Sequence, residues 1–165
     1  MQLIVLIGLK GSGKTYIGSL MEKELHIPFL RVEPIFLSVK GSRHYFDKGY
    51  INEGFKEVER HILSLLQQHN TIAIESTGIA DEFKNMMAHI SERGIAVKYV
   101  KVNTPAKLCL ERVKSRSHVN HVNVSDEDVI KINELALQES FDYVLVIDNV
   151  NAIDADILSV LKLAI

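Results

Sequence analysis

Leu3-Ile4-Val5-Leu6-Ile7-Gly8-Leu9-Lys10-Gly11-Ser12-Gly13-Lys14-Thr15 decides the fold of this chain. The five apolar residues read as a buried parallel strand, which carries no polar face because helices cover both sides of such a sheet. The octet Gly8 to Thr15 has the spacing Gly, four residues, Gly-Lys-Ser/Thr, and Ile17, Leu20 and Met21 behind it repeat at helical spacing. A glycine-rich turn between a strand and a helix brings backbone N–H groups together, and the helix N-terminus adds roughly half a positive charge at that point. Polyphosphate fits there. Lys14 is placed to reach β- and γ-phosphates and the Thr15 hydroxyl to ligate Mg2+. Gly8, Lys10, Gly11, Ser12, Gly13 and Tyr16 complete the expected cradle, with a solvent-facing side chain as the alternative for Lys10. The expected ligands are ATP and Mg2+, with a guanine nucleotide the alternative although no Asn-Lys-x-Asp guanine-reading motif is present.

The 165 residues suffice for one domain with a full core, and a single domain over 1–165 is expected. Apolar residues make up 47% and charged ones 24%, which excludes a disordered chain. A net charge of −2 argues against a nucleic-acid partner, which needs several phosphate-neutralising side chains. The single cysteine, Cys109, excludes an internal disulfide and a four-cysteine zinc lid. Set among Ala106, Leu110 and Val113, it reads as a small core residue. No apolar run approaches the roughly 18–20 residues that span a bilayer. A strand from Gln2 leaves no room for a leader, so a cytoplasmic protein is expected, acting as a monomer.

Strand-like and helix-like segments alternate along the chain. Residues 28–32 read as a second strand ended by Glu33-Pro34, and 41–49 as a loop. Helical spacing runs from Gly54 to about His69 and again from Phe83 to Ile90. Thr71–Ile74, Ile95–Val102 and Tyr143–Ile147 are the remaining strands. Thr104-Pro105 opens a helix as N-cap and first-turn proline, Ser125-Asp-Glu-Asp128 opens another through a capping box, and Ile153 to Leu161 form the last. Five such alternations imply an α/β fold of three layers, with a five-stranded parallel sheet covered on both faces and a short lid. Ligands then bind beyond the carboxyl ends of the strands, near Gly8–Thr15, Arg31–Glu33, Glu75–Gly78, Asn103 and Asp148-Asn149.

These residues resemble the shikimate kinase and gluconate kinase branch of the nucleoside-monophosphate-kinase-like P-loop kinases, over nearly the whole length. The phosphate loop is the most specific part. Leu25-His-Ile-Pro-Phe29 is similar to the approach to that family's second strand, where an acidic residue follows the phenylalanine by four, here Glu33. Phe55-Lys-Glu-Val-Glu59 resembles a segment that places Lys56 at a substrate-binding position, and Ile74-Glu-Ser-Thr-Gly78 resembles a glycine-rich substrate loop bearing Thr77 and Gly78. Arg112 and Arg116 resemble arginines leading into a lid over 115–124, and residues 34–60 form the acceptor side. The resemblance also implies that Asn149 lies against the adenine. Three departures separate the chain from shikimate kinases. Arg31 stands where an acid is expected, Ile79-Ala80 follow Gly78 in place of glycine, and 117–123 lack an arginine-proline pair.

Phosphoryl transfer needs positioning and positive charge more than covalent help. Glu33 at the exit of the second strand suits proton acceptance from an acceptor hydroxyl; a solvated turn glutamate is the alternative. Glu75 ends an apolar strand, where an unpaired carboxylate is costly, and suits either Mg2+ through water or the base role. Arg112 and Arg116, one turn apart, fit phosphate or adenine, against a solvated basic helix end. Lys40, Arg43, His44, Tyr45 and Lys48 suit an anionic acceptor or simply solvent. His118 and His121 fall short of the three or four ligands of a zinc site. The expected activity is ATP-dependent phosphoryl transfer to a small molecule. A nucleoside, nucleotide or RNA-end kinase, or an ATPase switch acting on a partner, remain the alternatives.

Overall fold

A computed structural model describes residues 1–44, 46–115 and 124–164. In chain order these form β1 (Gln2–Ile7), α1 (Lys14–Leu25), β2 (Phe29–Leu30), α2 (Val32–Lys40), α3 (Lys48–Leu66), β3 (Thr71–Ser76), α4 (Asp81–Glu92), β4 (Ala96–Asn103), α5 (Ala106–Ser115), α6 (Asp126–Gln138), β5 (Tyr143–Asp148) and α7 (Asp154–Ala164). The strands are all parallel, in the order β2-β3-β1-β4-β5. The expected three-layer α/β architecture is therefore present.

Alternate residues of β1 serve two cores, which is why the strand is apolar throughout. Leu3, Val5 and Ile7 pack with Ile72 and Ile74 of β3 under Val58 and Ile62 of α3 and Phe83 and Ile90 of α4. Ile4 and Leu6 face the other way, onto Ile17 and Met21 of α1 and Ile157 and Leu161 of α7. At roughly 25 cal/mol per Å2 of apolar surface, burying both faces of the central strands is the main source of stability. Among the described residues no helix is long and apolar enough to cross a membrane.

Three local expectations are corrected. The second strand is only Phe29–Leu30, and Glu33-Pro34 opens α2 instead of closing a strand. Proline in a first helical turn lacks an N–H that would have had no carbonyl partner there, so the pair permits a helix. That helix buries Ile35 and sets Phe36 edge-on against Tyr50 (5.5 Å) and Phe55 (5.0 Å) of α3. The α3 helix starts at Lys48, one and a half turns before Gly54, because the Asp47 carboxylate accepts the Tyr50 N–H at 2.7 Å. Thr104 does not cap α5; its hydroxyl faces the carbonyls of Ser12 (3.0 Å), Asn103 (2.9 Å) and Asn149 (3.4 Å). The cap of α6 is as expected, with the Asp128 N–H donating to Ser125 Oγ at 3.2 Å.

Candidate functional site

The loop from Gly8 to Thr15 leaves the sheet beside β3, where Leu6 is in register with Glu75 and Ile7 with Ser76. Gly11 (φ 93°) and Gly13 (φ 96°) take left-handed backbone, disfavoured for side-chain-bearing residues. Contact makes both glycines obligatory as well. A Cβ at Gly11 would lie 2.3 Å from the Cys109 carbonyl oxygen, and one at Gly13 would lie 2.1 Å from Asn149 Nδ2. Three elements grip the loop from outside. Asn149 Nδ2 donates to the Ser12 carbonyl at 2.8 Å, and Arg112 Nη2 donates to the Asn149 carbonyl at 3.0 Å. Asn133 of α6 clasps Lys10, accepting its N–H at 2.7 Å and donating to its carbonyl at 3.2 Å.

Inside this cradle Lys14 Nζ donates to the carbonyls of Gly8 (2.9 Å) and Leu9 (2.8 Å). Burial lowers its pKa to about 8, with Lys10 pushing the same way and Glu75 and Glu33 opposing. Thr15 Oγ1 donates to Glu75 Oε2 at 2.7 Å, so the buried carboxylate is paired across the strand ends. Lys10 does not face solvent; its Nζ meets Glu33 Oε1 at 2.7 Å. Tyr16 bonds Asp154 at the start of α7. A glycine cradle that side chains would fill, first-turn amides of α1 and a carbonyl-held lysine fit a triphosphate. The oxygens of Thr15 and Glu75 suit a hard cation such as Mg2+.

A cavity of about 830 Å3 opens over the loop and continues toward α2 and α3. It brings together ten of the residues singled out in the sequence: Lys10, Gly11, Gly13, Lys14, Thr15, Tyr16, Glu33, Glu75, Thr77 and Arg112. Gly8 and Ser12 belong to the loop without lining the cavity, and the Asn149 side chain braces the cradle through the Ser12 carbonyl. Gly78 is turned to Phe141, where a Cβ would lie 2.6 Å from the ring. Lys56 is exposed and lines nothing; one residue past Phe55 is about 100° round a helix, so Phe55 takes the cavity and Lys56 the solvent. Of the loop cations, Lys48 lines the cavity, whereas Arg43 pairs with Glu53 at 2.7 Å and lies over the Tyr50 ring. Arg116, His118, His121, Tyr45 and residues 116–123 of the lid expected over 115–124 lie outside the described residues. Cys109 is fully buried, as a core residue should be.

Sequence reasoning missed two residues of the site and the role of a third. Tyr50 was hidden by the late start assigned to its helix, though Asp47 three positions earlier is a cap signal. Asn133 has no local signature, because its partner is 123 residues away. Arg31 was placed near the ligand at the exit of the second strand and as a departure from a family pattern, but without a role; it lines the cavity, with a buried Nε that has no hydrogen-bond partner. The Tyr50 hydroxyl is likewise buried without a partner on the same wall.

A family model described as an AAA domain matches residues 3–136. A shikimate kinase of Bacteroides fragilis is 30% identical over 98 residues, which cover 57% of this chain and 53% of that protein. The chain thus spans about half the length of this curated relative. A solved sugar kinase from Janibacter sp. HTCC2649 superposes with a TM-score of 0.68 at 14% identity, covering 99% of this chain and 96% of that one. A gluconokinase from Sinorhizobium meliloti does so with a TM-score of 0.66 at 15% identity, covering 99% and 93%. With its phosphate loop, strand order and glutamate-paired Thr15, the chain belongs to the AAA-domain family and has the fold of the P-loop kinases, beside proteins of the shikimate kinase and gluconokinase type.

Proposed function

We propose that the protein is an ATP-dependent phosphotransferase that moves the γ-phosphoryl group to a hydroxyl of a small metabolite. One observation carries this reading: the phosphate cradle and the carboxylates Glu33 and Glu75 open onto the same cavity, which extends past the cradle to a second wall. A site built only to hold nucleotide has no use for that extension. When bound, Mg-ATP supplies the phosphoryl group and a cation to offset its charge. Lys14, which now donates to the Gly8 and Leu9 carbonyls, would hold the terminal phosphates with the first-turn amides of α1, and Thr15 and Glu75 would hold the metal. Glu75 is thereby committed, and Glu33 takes the acceptor's proton. Arg112, which lines the cavity, adds positive charge.

The acceptor wall supports a narrower statement. Phe36, Phe46 and Phe55 give it an apolar surface, and Arg31 and Tyr50 stand in the same wall with a donor Nε and hydroxyl buried just behind that surface without a partner. An acceptor with an apolar body and a hydrogen-bond-accepting, anionic group suits that wall better than a bare polyol, whose many hydroxyls would find no partners on phenylalanine. Arg31 therefore takes the substrate role expected of Lys56. The test is ADP release from Mg-ATP across pooled hydroxyl metabolites, with Lys14→Ala as control. One acceptor should raise the rate by orders of magnitude in the wild type alone. Equal, slow ADP release in every pool, with ATP still bound, would reject the kinase reading.

A further inference from the structure

Three elements meet at Lys10. Its main chain is fixed on both sides by Asn133 of α6, at 2.7 and 3.2 Å, and its ammonium lies 2.7 Å from Glu33 in the first turn of α2. With the backbone clamped, only the flexible stem is left to move, and a lysine ammonium is a compact charge that changes partners without demanding a planar fork. Both side chains are mostly shielded, at 14% and 24% exposure, so solvent screens the pair only in part. Lys10 also lines the cavity with Lys14, close enough for its charge to lower the Lys14 pKa. A polyphosphate entering the cradle therefore competes with Glu33 for Lys10. Glu33 tolerates the loss, because the N-terminus of α2 still offsets its charge.

We propose that Lys10 is a positioning residue that exchanges Glu33 for the phosphates of the bound nucleotide, so that nucleotide binding breaks the Lys10–Glu33 pair at the acceptor side of the cavity. The inference rests on the phosphate loop holding ATP, and it links the two halves of the cavity. The proton acceptor is held by Lys10 until phosphate is in place, which favours nucleotide binding before acceptor binding. A static alternative has Lys10 neutralise Glu33 throughout. The two differ in the sign of a coupling.

The experiment is a double-mutant cycle read by calorimetric binding of the Mg2+ complex of the β,γ-imido analogue of ATP, with wild type, Lys10→Met, Glu33→Gln and the double variant. Under exchange, Glu33→Gln tightens binding roughly threefold, because Lys10 no longer has to leave a carboxylate. Lys10→Met then weakens binding roughly threefold in the wild-type background and roughly tenfold in the Glu33→Gln background. Lys10→Arg restores most of the affinity, and melting curves confirm that each variant is folded, with Lys10→Gln replacing any Lys10→Met protein that is not. A cost of Lys10→Met that is larger with Glu33 present, or equal in both backgrounds, overturns the exchange. If the wild type binds no nucleotide at all, the functional reading fails first and takes the exchange with it.

Discussion

Consider the protein moved from pH 7 to pH 9. Burial holds the Lys14 pKa down at about 8, against 10.5 for a free lysine. A lysine lowered in this way penalises the folded state fully below its folded pKa, and the penalty is relieved as pH rises toward the unfolded value. Between pH 7 and 9 the unfolded chain keeps its proton while the folded one sheds it. Integrating the difference gives about 1.4 kcal/mol of added stability, or a melting point higher by roughly 3–5 °C at this chain length. Nucleotide affinity must move the opposite way, because the phosphates need the charged ammonium; it should fall about tenfold over the same two pH units. Urea unfolding followed by circular dichroism reads the first, and calorimetry with the imido analogue reads the second, each on wild type and Lys14→Met. The variant should lack this gain and lose a little stability by pH 9 as the Cys109 thiol ionises in the unfolded chain, and it should lose most of the pH dependence of binding. The comparison stops at pH 9 because burial raises the Cys109 thiol and the Tyr50 and Tyr99 phenols, which lower stability at higher pH. Identical pH slopes in the two proteins would refute the assignment of a strained, buried charge to Lys14.

Other outcomes follow from single contacts. Gly13→Ala forces a side chain onto φ 96° and toward Asn149 Nδ2, and should cost about 2 kcal/mol or more in urea unfolding while abolishing nucleotide binding. Tyr50→Phe removes a buried hydroxyl that has no partner, so it should stabilise the nucleotide-free protein by about 1 kcal/mol. With an acceptor in hand the same change should raise KM for it about tenfold and leave KM for ATP alone. Glu75→Gln keeps an oxygen that accepts the Thr15 hydroxyl but removes the carboxylate charge, and should raise the Mg2+ concentration needed for half-maximal activity by an order of magnitude without weakening metal-free nucleotide binding.

Much of the fold was legible because the signals were local. An all-apolar β1 running into a glycine loop needs a parallel sheet covered on two faces, and the alternating packing of Leu3, Val5 and Ile7 against Ile4 and Leu6 bears that out. Local chemistry also misled. Glu33-Pro34 reads as a stop after a strand, but a first helical turn accepts proline, and Phe36 supplies the packing that holds the turn helical. The phosphate cradle was readable residue by residue, whereas its supports were not. Asn133 and Thr104 act on Lys10 and Ser12 across 123 and 92 residues, and nothing in their own neighbourhoods announces it. Lys56 failed for a geometric reason, since a one-residue step on a helix exchanges cavity for solvent. Tyr50, and a role for Arg31, emerged only once burial exposed their missing partners.

The central claim is that the terminal phosphoryl group passes to an organic hydroxyl within this cavity and not to water. The direct measurement is the fate of γ-18O-labelled ATP incubated with the wild-type protein and the stimulating acceptor pool, followed by mass spectrometry. Label in a phosphorylated metabolite, absent with Lys14→Ala and strongly reduced with Glu33→Gln, is the predicted result. Label recovered only in inorganic phosphate, at the same rate with and without acceptors, would contradict it.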